Sequence, residues 1–118
     1  MSKPRIVYTP SNHVFVIGGT DLNDQITGKC YRVQHNLLKE IHPMLLARSS
    51  FGCCVTNDAI YIAGGLSSGK LQAVSNCEVY NINDNKWLAL PNLPVGTFSL
   101  SLSNYNKNNL LAVGGTDD

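Results

Sequence analysis

Three times in this chain of 118 residues an apolar run of four or five residues ends in a pair of glycines: "HVFVIGGT" at 13–20, "AIYIAGGL" at 59–66 and "NLLAVGGT" at 109–116. The pairs begin at Gly18, Gly64 and Gly114, so the spacings are 46 and 50 residues. A period of that size marks a repeated supersecondary unit that cannot bury its hydrophobic face alone. Gly18-Gly19, Gly64-Gly65 and Gly114-Gly115 therefore read as structural. A strand that ends in two glycines can take positive φ and let neighbouring backbone approach closely, which a β-branched residue could not do cheaply.

The middle pair also invites a phosphate-binding reading. Gly64, Gly69 and Lys70 fit the first seven positions of G-x-x-x-x-G-K-[ST], and the apolar run "AIYIA" stands where the preceding strand should be. The eighth position is Leu71, which cannot hold a magnesium ion. The segment that follows, "QAVSNCEVYNINDN", reaches a strand-like run and an Asn/Asp turn within a few residues. No long helix is available to aim its first N–H groups at a phosphate.

The second unit is the most legible. "RSSFGCCVT" (48–56) reads as a strand, "ND" as a turn and "AIYIAGG" as a second strand. After the loop "LSSGKLQAVSN", "CEVYNI" is a third strand, "NDN" a turn and "KWLAL" a fourth. A shift of 47 sets Cys30 under Cys77 and Val33 under Tyr80, and sets Thr97 and Phe98 under Ser50 and Phe51. The units divide as 5–46, 48–94 and a half unit, 97–118, whose extra length falls in the Asn-rich turn "SNYNKNN".

With Gly64-Gly65 after an apolar strand, Tyr80 in the third strand, Trp87 seven residues later and Arg48 before the first, the unit resembles the kelch repeat, the four-stranded blade of a β-propeller. In the first unit Glu40 falls at the place of Trp87, within "LLKEIHPML". The resemblance implies an all-β fold of antiparallel four-stranded sheets, about two and a half blades of an incomplete ring. Trp87 and Tyr80 read as packing between adjacent sheets, with an N–H and an O–H left for partners.

Composition fits a β-rich chain with little charge. Hydrophobic residues make up 43%, charged residues 14%, and the formal net charge is +1. That balance carries no electrostatic footprint for nucleic acid or an anionic membrane. No apolar run approaches membrane-spanning length and the start lacks a signal-peptide core, so the expected location is the cytoplasm or nucleus. Cys30 and Cys77 fall at matching places in two units, and the neighbours Cys53 and Cys54 point to opposite faces of a strand. With no C-x-x-C, the four read as free thiols without a metal. His13, His35 and His42 fall at turns and strand ends with no partner motif.

The resemblance implies a protein-interaction module that presents loops to a protein partner, serving as the recognition part of a larger assembly such as a cullin-type ubiquitin ligase or a cytoskeletal complex. No cofactor is expected. An alternative from another class is a fragment of a propeller enzyme, a copper-radical oxidase or a sugar epimerase, although no metal-ligand motif of those enzymes can be carried onto these residues. The partner face of a kelch propeller maps onto Arg48, Ser49 and Ser50, onto Asp21, Asn23 and Asp24, and onto Ser67, Ser68, Lys70 and Gln72. Arg48 leads this set because a guanidinium can hold a partner's carboxylate bidentately, the competing role being an ion pair within the propeller. Two and a half blades leave a ring open, so further blades or self-association are expected to cover the exposed sheet faces. The end at "GGTDD", where a third strand would be due, reads as the boundary of a piece.

Overall fold

Period-two alternation sets the strands, and the glycine pairs at 18–19 and 64–65 stop them, whereas the strand at 109–116 runs through the third pair. The computed structural model describes residues 5–20, 23, 25–67, 72–106 and 109–116. Among these residues there is no helix. β1 (Arg5–Tyr8), β2 (Val14–Ile17), β3 (Cys30–Gln34) and β4 (Leu37–Ile41) form one antiparallel meander. After β5 (Arg48–Ser49) come β6 (Gly52–Val55), β7 (Ala59–Ala63), β8 (Leu66–Ser67), β9 (Cys77–Asn81) and β10 (Lys86–Leu90). Strands β6, β7, β9 and β10 make the second meander, and β5 pairs with β8 in a short separate ribbon. β11 (Phe98–Asn106) and β12 (Asn109–Thr116) form a hairpin, with β11 beside β6. The fold is all-β, two four-stranded blades and a further hairpin in an open arc.

The two blades repeat each other bond for bond. Thr9 N donates to His13 O as Thr56 N does to Ala59 O, and Gly18 N donates to Lys29 O as Gly64 N does to Asn76 O. Thr27 N donates to Gly19 O as Val74 N does to Gly65 O, and the bridge Thr20–Ile26 matches the bridge Leu66–Ala73. Gly18 (φ +52) and Gly65 (φ +107) show why glycine recurs at these points. A Cβ on Gly65 would stand 2.7 Å from Ser49 O, and one on Gly18 would stand 2.5 Å from the Met44 methyl.

Three details differ from the sequence reading. The run 48–56 is two strands, because Ser50 takes a left-handed backbone (φ 54) and breaks the pleat. The third unit's expected turn "SNYNKNN" is partly strand, since β11 runs to Asn106 with a register shift between Asn104 and Asn106. In the first blade, His35 and Asn36 both have positive φ and close a two-residue hairpin between Gln34 and Leu37. Blade two spends residues 82–85 on the same turn, between Asn81 and Lys86. Val33 therefore pairs with Leu38 where Tyr80 pairs with Trp87. Leu38, not Glu40, is the counterpart of Trp87, and Glu40 pairs with Tyr31.

The core lies between the blades. Strand pairing puts Val7, Phe15, Ile17 and Cys30 on one face of blade one and Ile60, Ile62, Tyr80 and Trp87 on one face of blade two, and all eight belong to a single buried cluster. The Phe15 and Tyr80 rings meet edge to face at 6.2 Å between centroids. Polar contacts tie the same junction. Arg5 Nη2 donates to Phe51 O at 2.6 Å and its guanidinium lies over the Phe51 ring, while Ser11 N and Oγ both donate to Asn57 Oδ1.

Candidate functional site

The connector at 42–47 carries the chain from the outer strand of blade one to β5, at the start of the second unit, and it is held by side chains from within. Glu78 sits on β9 at an inward-facing place, where the alternation of "CEVYN" puts Glu78 and Tyr80 on one face. Its carboxylate accepts Leu45 N at 2.8 Å through Oε1, and Leu46 N at 3.3 Å through Oε2. Arg48 Nη2 donates to the same Oε2 at 2.5 Å, and both side chains are 1% exposed. Three more of the five guanidinium hydrogens are also used. Nη1 donates to Gly64 O and Asn76 O at 2.9 and 2.6 Å, and Nε to Leu46 O at 3.3 Å. A buried ion pair is tolerated only when its other hydrogen-bonding capacity is met in this way.

A second anchor holds the other end of the connector. Trp87 Nε1 donates to His42 O at 2.7 Å, and Asn85 Oδ1 accepts both His42 N at 3.1 Å and the Tyr80 hydroxyl at 2.6 Å. Asn85 reaches there from a left-handed backbone (φ 51), a conformation Asn accepts more readily than most residues. The Tyr80 and Trp87 rings lie 5.0 Å apart. Burial raises the Tyr80 hydroxyl pKa, against the opposing charge of Arg32.

Arg48 and Ser49 must be reassigned. Both were expected on the partner face; Arg48 is 1% and Ser49 2% exposed, and the carboxylate that Arg48 holds is Glu78 of its own chain. Both side chains are buried at the β5–β8 ribbon, where Arg48 lies opposite Ser67 and Ser49 opposite Leu66. Ser67 is half-buried and its N–H bonds to Gln72 O, while Gln72 is exposed. Ser50 is half-buried and Asn23 exposed, the latter in the first blade's equivalent loop. Asp21, Asp24, Ser68 and Lys70 lie outside the described residues. The sequence reading missed Glu78; its signal was an acid at an inward place in an otherwise apolar strand face.

None of the four cysteines is joined in a disulfide, and Cys30 is buried. Burial pushes both Cys30 and Cys53 up to about 12, against backbone hydrogen bonds at Cys30 and the charge of Arg5 at Cys53. Burial also raises Cys77. Thiolate is the nucleophilic form, so Cys30 and Cys53 are expected to be alkylated by iodoacetamide far more slowly in the folded chain than in denaturant. A folded pKa raised above the unfolded value stabilises fully below the unfolded pKa and is lost as pH rises towards the folded one. Stability in urea is therefore expected to fall between pH 9.0 and about 12. A Cys30→Ala, Cys53→Ala chain should lose much of that fall.

A protein-family profile described as the Kelch motif matches residues 47–94. Human Kelch-like protein 40 is 37% identical over 119 residues, covering 95% of this chain and 19% of that protein. Human Kelch-like protein 23 is 35% identical over 83 residues, covering 70% and 14%. The chain is a kelch-repeat protein. Kelch repeat and BTB domain-containing protein 2 of Cowpox virus (strain GRI-90 / Grishak) is 28% identical over 93 residues, covering 77% and 16%. The chain thus spans less than a fifth of the length of these kelch relatives. The matched stretch is blade two with its Arg48–Glu78 pair, Tyr80 and Trp87, the residues that hold the connector.

Proposed function

We propose that this kelch scaffold presents the loops at 20–26 and 66–73 to a protein partner and acts as the recognition part of a larger assembly. What carries the reading is that these two loops start from equivalent glycine pairs and are closed by equivalent bridges, one blade apart. A rigid blade with a loop of free composition is a common way to build a recognition surface. Kinship to proteins named for kelch repeats, one of them also for a BTB domain, supports a scaffold that works beside other domains. With Arg48 committed to Glu78, recognition rests on Asn23, Ser67 and Gln72 among the described residues and on Asp21, Asp24, Ser68 and Lys70 of the same loops, with Ser50 at the base.

Affinity capture followed by mass spectrometry, using the wild-type chain and an Asn23→Ala, Ser67→Ala, Gln72→Ala chain, tests this. Partners retained by wild type and lost from the triple variant, at unchanged thermal unfolding, are the expected result. An identical partner set from both chains would refute the loop assignment.

A further inference from the structure

The junction between the blades has a lip that blade two leaves open. The face of blade one that packs against blade two carries Phe15 and Ile41, both buried, and beyond them Arg32, Leu37 and Lys39. Arg32 is half-buried, Lys39 is exposed and Leu37 is 71% exposed, although the blade that faces them is present. Register sets Arg32 directly opposite Lys39. Two like charges in such a cross-strand pair destabilise the sheet. The same places in blade two hold Val79 and Leu88, one residue from the Tyr80 and Trp87 pair as Arg32 and Lys39 are from Val33 and Leu38. The blade architecture therefore asks for no charge here, and blade one carries two of the same sign.

No carboxylate of the described residues meets them. Among those residues the one ion pair is Arg48 with Glu78, and Glu40, next to Lys39, lies on the opposite face with Tyr31. The Arg32 guanidinium is nevertheless held in place: it lies over the Phe15 ring at 5.4 Å, and Nη2 donates to His13 Nδ1 at 3.2 Å. One of its five hydrogens thus goes to a neutral acceptor, and among the described residues none goes to an anion. A guanidinium seated on a ring with an ammonium beside it is a receptor for carboxylates. The adjoining surface selects among anions. Leu37 stands two residues from Lys39 on the same face, so an occupant gains by setting an apolar group next to its acids. Free phosphate has no such group, and a nucleic acid needs a wider basic surface than a chain of net charge +1 presents. We infer that this lip docks an acidic peptide segment of a partner protein, with carboxylates on Arg32 and Lys39 and a neighbouring apolar side chain on Leu37. The site lies towards the turn between Gln34 and Leu37, at the other end of the strands from the loops that follow the glycine pairs, and it does not depend on the loop assignment.

An NMR titration of the 118-residue protein with an acetylated, amidated peptide of alternating glutamate and leucine tests this. Shift changes are expected to saturate and to centre on Arg32, Leu37 and Lys39. Lys39→Glu, which turns the like-charged pair into an opposite one, should weaken binding roughly tenfold or more. Arg32→Val, Lys39→Leu installs the residues of blade two and should abolish binding, and thermal unfolding of each variant reports an intact fold. Lys86→Gln removes an exposed charge from the face of blade two turned away from blade one, and should change the affinity by no more than about twofold. Absent or unsaturable binding by the wild-type chain, shifts confined to the loops at 20–26 and 66–73, or equal weakening by Lys86→Gln would each overturn the inference. So would inorganic phosphate or a single-stranded oligonucleotide that moves the same resonances at lower concentration than the peptide, since the pair would then serve a phosphate group.

Discussion

Glu78→Ala is expected to lower the stability of the chain by about 3–5 kcal/mol, because it leaves the buried Arg48 guanidinium without its counter-charge. It also strips the acceptors from Leu45 N and Leu46 N, so the connector between blades loses its hold in the same step. Domains of this size are stable by only about 5–15 kcal/mol, so the loss is a large share of the total. The informative comparison is with the pair replaced together. Arg48→Met, Glu78→Leu removes both charges and fills the space with apolar groups, and should cost less than Glu78→Ala alone. Urea unfolding of wild type, the single variant and the double variant measures this. A double variant at least as unstable as the single one would mean that the ion pair is worth more than its desolvation.

Trp87→Ala should cost about 3–5 kcal/mol through lost burial and the cavity left behind. Its indole packs with Tyr80 and donates to His42 O, so the change loosens a ring stack and leaves a connector carbonyl unpaired together. Trp87→Phe retains most of the apolar surface and should cost less, with about 1 kcal/mol assigned to the lost hydrogen bond. Leu38→Ala alters the equivalent place in blade one, where the side chain is largely exposed, and is expected to change monomer stability by no more than about 1 kcal/mol. Thermal unfolding of the three variants tests whether equivalent places in the two blades carry such unequal energies. Equal losses from Trp87→Ala and Leu38→Ala would show that the face of blade one is covered within the monomer.

What was legible in the sequence was whatever repeats with a local signature. The glycine pairs announce positive φ, "KWLAL" matches β10 residue for residue, and "AIYIAGG" overruns β7 only by its two glycines. What was illegible depends on counting through turns and on contacts across the sheet. A uniform shift of 47 put Glu40 under Trp87, because nothing in a fixed offset reveals that His35-Asn36 closes a turn two residues shorter than 82–85. Whether Arg48 meets a partner's carboxylate or an ion pair within the propeller is illegible for a related reason. A cation before a strand shows that a carboxylate is wanted, but the partner lies 30 residues on, and only the sheet brings Glu78 to it. The β5–β8 ribbon is too short for any periodicity to show.

Amide hydrogen exchange at Leu45 and Leu46 reports whether Glu78 and Arg48 form an internal clamp on the connector between the two equivalent blades. Loop amides ordinarily exchange fast, whereas these two donate to a carboxylate that is 1% exposed. The clamp predicts that both exchange at rates comparable with the strand amides of β7 and β9, and that Glu78→Gln speeds both while the β1–β2 amides keep their protection. Rapid exchange at Leu45 and Leu46 in the wild-type chain, with β7 and β9 protected, would contradict it.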